Sequence, residues 1–444
     1  MMNSNYLKRA ITLCGAVLLF IGCGEFLQYI LIDDTNSYTR IMFHQLYHSP
    51  QNIDIAFVGS SHVYRSLDPR ITDKEFGKYT FNAGTSSQGL DGSYAVIQEL
   101  CHYHKPEQIF LELYYAIADE PENKDRNQMT ATYILSDYMR PSIRKLDFII
   151  NASSSSHYVN SFIPARRNWK NLFNFHYIFN LVSKKQKDTY KKYQWNKTKN
   201  QDEYYIEKGF VADRKIVNPQ THWNKLAYGK INKAINLTEE NDWYRSLINI
   251  IKYCKEKKVK LTLFIVPEPE WTLVGKGNYQ EYHNFIQGIA EKNNIDFYDF
   301  NLCRTTYFDA NDYRLFKDEQ HLNVVGAEKF SLLFSDFFMN RISQYQLFHS
   351  SFKEKLQTES PKVYGFAGPH YEKNSVSKSY VIANRDEGIE YRIMLAHENK
   401  KSIVLKDFSE ERDFKLPKNN HGTLKVFWRL KDKPNEIKMI NEKY

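Results

Sequence analysis

The run Ile53-Asp-Ile-Ala-Phe-Val58 constrains the fold more than any other stretch of this 444-residue chain. It is short, almost wholly apolar and bounded by turn residues. A strand with one wet face alternates apolar and polar positions, whereas a strand this apolar is covered on both faces, as in a parallel sheet between helical layers. It runs directly into Gly59-Ser60-Ser61-His62.

Similar pieces recur. Tyr79 to Asn82 predicts a second strand ending at Ala83-Gly84, followed by a helix from Leu90 to about His102 and a strand from Gln108 to Tyr114. Further on, a helix from Trp243 to Lys257 precedes the strand Lys260 to Val266, stopped by Pro267 and Pro269. A helix from Tyr279 to Asn293, a strand from Ile295 to Asp299 and a helix from Ala327 to about Ser343 follow. This alternation is the signature of an α/β domain with a parallel sheet, whose ligands bind at the carboxyl ends of the strands. Gly59-Ser60-Ser61 and Gly84 both fall there.

Between 118 and 240 the alternation is lost. That stretch, rich in Asn, Lys, Tyr and Ser, is expected to be a helical insertion over the mouth of a domain spanning 50–345. Beyond about 350, short strand candidates (Lys362 to Phe366, Ser379 to Ala383, Gly388 to Leu395, Lys401 to Leu405, Thr423 to Lys431) predict a small all-β domain, a sandwich, over 350–444.

The N-terminus bears on location. Lys8 and Arg9 precede an apolar run from Ala10 to Ile32, interrupted late by Glu25 and Gln28. Twenty-three residues suffice for a ~30 Å hydrocarbon layer at about 1.5 Å per residue, and the flanking charges orient the rest of the chain outward. Residues 1–34 are therefore expected to be a transmembrane signal anchor with an extracytoplasmic catalytic domain. Phe20-Ile21-Gly22-Cys23 also loosely resembles a lipoprotein cleavage box, which would lipidate Cys23. Five cysteines without a CxxC pair make neither a disulfide framework nor a zinc site. The net charge of +9 is scattered apart from Lys184 to Lys199, and no nucleic-acid motif accompanies it, so no nucleic-acid partner is expected.

The chemistry-bearing residues are Ser61, at a strand end, and the pair Asp318 and His321 in Phe316-Lys-Asp-Glu-Gln-His-Leu-Asn323. Three residues on one turn let a carboxylate reach an imidazole Nδ1 while Nε2 faces a hydroxyl brought by the sheet. His62 is expected to point away from Ser61 on an extended strand end, in a structural role. Spacing does not favour a metal site on His102, His104, Asp318 and His321, and no cofactor is expected.

With Gly59-Ser60-Ser61, Gly84 in Phe-Asn-Ala-Gly and Asp318-x-x-His321 in this order, the chain resembles the SGNH (GDSL-like) hydrolase superfamily, most closely its membrane-anchored DltD-like and alginate-acetylase-like branches. The resemblance covers about 50–117 and 240–345. It departs at Ser60, where Asp is usual, and in lacking the third-block Asn where the chain reads Glu112-Leu-Tyr-Tyr115. It implies an SGNH-type parallel sheet, a Ser61-His321-Asp318 triad, and an oxyanion hole from the N–H groups of Ser61 and Gly84 with Asn82 or Tyr114 assisting. The implied activity is that of a serine esterase or O-acyltransferase on an acylated cell-envelope glycan, with a membrane-bound acyltransferase as a possible partner. The contrasting expectation is a non-catalytic glycan-binding scaffold.

Overall fold

In a computed structural model, the strands among the described residues of the first 345 are β1 (Ile55–Val58), β2 (Thr80–Asn82), β3 (Gln108–Glu112), β4 (Glu203–Tyr205), β5 (Val211–Asp213), β6 (Lys260–Ile265) and β7 (Asp296–Asp299). The structure describes residues 4–115, 129–195, 201–218, 237–371, 376–385, 387–397, 400–417 and 422–443. β1, β2, β3, β6 and β7 form one sheet in the order β2-β1-β3-β6-β7, parallel at every pairing. The expected α/β sheet is present.

Period-two geometry explains its two-sided burial. Ala56, Val58, Ile109, Leu111, Leu263 and Ile265 pack on one face, against α2 (Tyr38–Tyr47) and the helices Leu90–Tyr103, Asp242–Lys257 and Tyr279–Asn293. Their neighbours Ile55, Phe57, Phe110 and Phe264 pack on the other, against Phe330, Phe334 and Phe337 of the helix Val324–Phe338. On that face the Phe57, Phe110 and Phe264 rings each lie within 5.7 Å of the Phe334 ring. Strand order reverses beside β1, and the crevice at such a reversal is where doubly wound sheets bind ligands.

Between β3 and β6 the described part of the insertion consists of short helices and the β4/β5 hairpin. The hairpin is bound to the sheet: Asn82 N–H donates to Lys208 O at 2.9 Å. Gly209, at φ +83°, sits so close that a Cβ there would lie 1.7 Å from Asn82 O. Gly209→Ala is expected to lower stability by ~2 kcal/mol or more, since strain at such a φ adds to the clash. A thermal midpoint equal to the parent's would show that the hairpin is not seated on β2.

The C-terminal region is all β. Its strands β8 (Val363–Tyr371), β9 (Val376–Ala383), β10 (Ile389–His397), β11 (Lys400–Ser409), β12 (Asp413–Pro417), β13 (Thr423–Leu430) and β14 (Lys433–Lys443) make two antiparallel sheets, β11-β10-β13-β14 and β12-β9-β8. Phe366, Val381 and Phe414 of one sheet meet Tyr391, Ile393 and Val426 of the other in a shared core. β12 and β14 were not expected from the sequence. Both are edge strands: β12 is only five residues long and ends in Pro417, although Phe414 and Leu416 alternate with polar residues and are buried, and β14 is charged along its length.

At the N-terminus a 28-residue helix, α1 (Ser4–Leu31), occupies the position of the expected anchor. Among the described residues no helix is long and apolar enough to cross a membrane. The transmembrane expectation for 1–34 is therefore unsupported by the structure. Residues 1–3, the side chains of Ser4 to Ile11, and those of Cys14, Val17, Leu18, Phe20 and Ile21 in the apolar run lie outside the described set.

Candidate active site

Ser61 does not end an extended strand; it opens a short helix, α3 (Ser61–Ser66). Ser60 is the N-cap, its hydroxyl accepting from His62 N–H, which is why Gly-Ser-Ser after a buried strand turns at once into helix. As the first helical residue, Ser61 has an N–H with no acceptor within its own helix. From the other side, Asn323 caps the helix Val324–Phe338 by accepting from the N–H groups of Val325 and Gly326. Its amide donates to Arg314 O at 2.7 Å and Lys215 O at 3.1 Å, closing the Asp318-His321 loop and tying it to the segment after β5.

These elements bring Ser61, His321 and Asp318 together. Ser61 Oγ lies 2.8 Å from His321 Nε2, and His321 Nδ1 lies 2.9 and 3.0 Å from the two Asp318 oxygens. Burial alone would raise the Asp318 carboxyl. Hydrogen bonds from the His321 ring and from the N–H groups of Gln320 and His321 instead hold it far below the usual carboxylate range. An ionised Asp318 on Nδ1 leaves Nε2 as the acceptor facing Ser61.

The other expected site residues are placed differently. Gly84 lies beside Ser60, where a Cβ would come within 2.8 Å of Ser60 O, so the close approach requires glycine. Its N–H already donates to Asn82 Oδ1 at 3.2 Å. Asn82 is fully buried, and its amide donates to Val63 O and Leu67 O at 2.8 and 3.1 Å. Asn82 thus anchors α3 to β2 and is not available as an oxyanion donor, contrary to expectation. Tyr114 stacks on the His62 ring, with centroids 3.9 Å apart. His62 is buried beside His321, ring centroids 4.6 Å apart, and burial followed by the nearby His321 and Lys276 charges keeps it well below an ordinary histidine. It therefore packs neutral against the His321 ring.

Two features had no sequence signal. Glu112, at the end of β3, is buried under Ser60 and accepts from both its N–H and its hydroxyl at 3.1 Å. Burial pushes its carboxyl up to about 8, against the opposing effect of those bonds. A group with a raised folded value holds more protons folded than unfolded, so it costs stability as pH rises from its ordinary 4.5 through about 8. Glu112→Gln keeps an oxygen acceptor for Ser60 and removes the ionisation. Its thermal midpoint is expected to gain on the parent's across that interval and then level off; a constant gap would contradict the assignment.

The second feature is a charge network from the insertion. Asp213 Oδ2 lies 2.9 Å from Lys317 Nζ and 3.6 Å from an Arg65 nitrogen, Glu203 pairs with Arg65, and Lys317 stands 3.9 Å from Asp318. The β4/β5 hairpin thereby ties the helix that carries Ser61 to the loop that carries Asp318.

No family model matches the chain, and no curated protein matches it. Among solved structures, a candidate acylhydrolase from Bacteroides fragilis NCTC 9343 aligns over 67% of this chain and 93% of its own, with 10% identity and a TM-score of 0.31. A candidate platelet activating factor from Streptococcus pneumonia aligns over 73% and 98%, with 13% identity and a TM-score of 0.31. Overlays at these scores carry no argument about this chain. Its architecture rests on the strand order and its site on the distances above.

Proposed function

We propose that the protein is an extracytoplasmic serine esterase or O-acyltransferase of the SGNH type acting on an acylated cell-envelope glycan. The observation that carries the reading is the Ser61 Oγ to His321 Nε2 distance of 2.8 Å, with Asp318 bonded behind the ring. His321 accepts the Ser61 proton as Oγ attacks an ester carbonyl, then returns it to the leaving oxygen. Asp318 holds the tautomer and stabilises the imidazolium. The N–H of Ser61 is the donor at hand for the oxyanion, with Gly84 N–H joining if it leaves Asn82. Because one such donor is typically worth ~10² to 10³ in rate, so sparse a hole suits a slow esterase or a transferase with a reactive donor. The acyl-enzyme passes to water or to a sugar hydroxyl.

The envelope location is supported by Lys8 and Arg9 ahead of the apolar run, and a membrane-bound acyltransferase would supply acyl groups from across the membrane. Purified protein given p-nitrophenyl acetate, with and without an envelope polysaccharide, separates the outcomes. Release of p-nitrophenolate above the buffer rate is expected, and acetate on the polymer would identify transfer. No release and no fluorophosphonate labelling, with polymer still bound, would overturn the enzyme reading in favour of a binding scaffold.

A further inference from the structure

The insertion presents a surface that water alone does not explain. Phe173 is 83% exposed, Phe179 72%, Trp169 71% and Phe175 66%, with Phe162 half exposed beside them in sequence. Phe175 and Phe179 stand four residues apart on one face of the helix Phe175–Lys185, while Leu181 and Lys185 on its opposite face are buried. Adjacent exposed aromatics of this number mark a surface that something apolar covers.

The inner side of the same segment grips the end of α1. Asn168 Nδ2 and Tyr177 Oη donate to Leu31 O at 3.0 and 2.9 Å, and Lys185 Nζ donates to Ile32 O at 2.7 Å. The insertion thus satisfies carbonyls that a helix end leaves open. Phe26, within the last two turns of α1, is itself 62% exposed, so apolar surface continues from the helix onto the insertion. Charge adds a second constraint. Residues 143–191 hold nine Lys and Arg against two Asp. Arg144 pairs with Glu99 of the main domain, Arg167 with Asp137 of the insertion itself, and Lys184 and Lys185 with Asp33 and Asp34 just beyond α1, while Arg166, Lys170 and Lys187 are exposed.

We propose that this segment is a collar seated on a bilayer with anionic headgroups, its aromatic rings entering the interface around the point where α1 emerges. The proposal rests on the membrane reading above and assigns the insertion a role in it. Rings partition to the headgroup level and exposed Lys and Arg draw in anionic lipid. A second copy of the chain is a poorer occupant, because two surfaces that each expose Arg166, Lys170 and Lys187 repel when paired face to face. The collar also sets a working distance. Tyr38, seven residues beyond Leu31, shares hydrogen bonds with Tyr64 of α3 and Ser86 of the loop after β2. Seven residues span at most roughly 25 Å, so this edge of the Ser61 crevice is held near the headgroups.

The full chain, reconstituted in vesicles of phosphatidylcholine and phosphatidylglycerol with part of the lipid brominated on its acyl chains, provides the test. The tryptophan emission that disappears in Trp169→Phe is expected to be quenched by brominated lipid and shielded from aqueous acrylamide. Protein that floats with the vesicles but leaves Trp169 open to acrylamide overturns the collar and leaves the anchor standing. Shielding from both quenchers, with cross-linking that traps dimers, overturns it in favour of a contact between copies. Failure to float overturns the membrane reading and the collar with it. Fluorophosphonate labelling in the same samples reports separately on the enzyme reading.

Discussion

Ser61→Ala is expected to lower p-nitrophenyl acetate turnover by at least ~10³-fold while the thermal midpoint stays close to the parent's. The activity loss is large because, among the described residues, only the Ser61 hydroxyl bonds His321 Nε2. The structural loss is small because Ser61 is only partly buried and contributes one hydrogen bond, while the bond of Ser60 to His62 N–H that caps α3 remains. Steady-state assay of purified variant and parent, with calorimetry on the same samples, checks both halves. Turnover within a few-fold of the parent's would remove Ser61 from the chemistry.

The second large effect belongs to the pair behind the serine. His321→Ala should lose as much as Ser61→Ala, and the double variant no more than either, because the groups act as a unit. Asp318→Asn should lose roughly 10² to 10⁴-fold. An asparagine amide offers a donor where the carboxylate accepted, so the ring either loses that bond or turns its proton toward Ser61. The Asp318 carboxyl also makes a contribution to stability that is fully present above its ordinary value of 3.8 and is lost as pH falls below it, since its folded value is depressed. Asp318→Asn should therefore narrow the difference in thermal midpoint between neutral and acid solution. Equal acid sensitivity in parent and variant would mean that the His321 and backbone bonds do not hold that charge.

Much of this site was legible in the sequence for physical reasons. A strand apolar at nearly every position from Ile53 to Val58 has to be covered on both faces, and the residues after it must then lie at a strand end. Asp318 and His321 are three residues apart, close enough to bond without help from the rest of the fold. The short-range conformation of Ser61 was misread: Gly-Ser-Ser suggested an extended end, whereas the Ser60 cap starts a helix immediately. Asn82 was expected from the resemblance as an assisting donor, but its amide was already required by the carbonyls of Val63 and Leu67, a demand that only the packed structure reveals. The β4/β5 hairpin and its Arg65, Lys317, Asp213 and Glu203 network were invisible, since charges distant in sequence and set in a polar insertion show no periodicity. Glu112 was noticed only as the residue standing where an expected asparagine was missing. Its burial under Ser60 sets a carboxyl from the neighbouring strand against the N–H and hydroxyl of the residue before Ser61.

The central claim is that Ser61 is a nucleophile activated by His321, and trapping the covalent adduct tests it most directly. Folded protein treated with a fluorophosphonate, digested and mapped by mass spectrometry should carry one adduct, on the peptide containing Ser61. The adduct should be absent in His321→Ala, whose serine is still present but has no base. An adduct on any other residue, or none on folded protein that still binds polymer, would contradict the account.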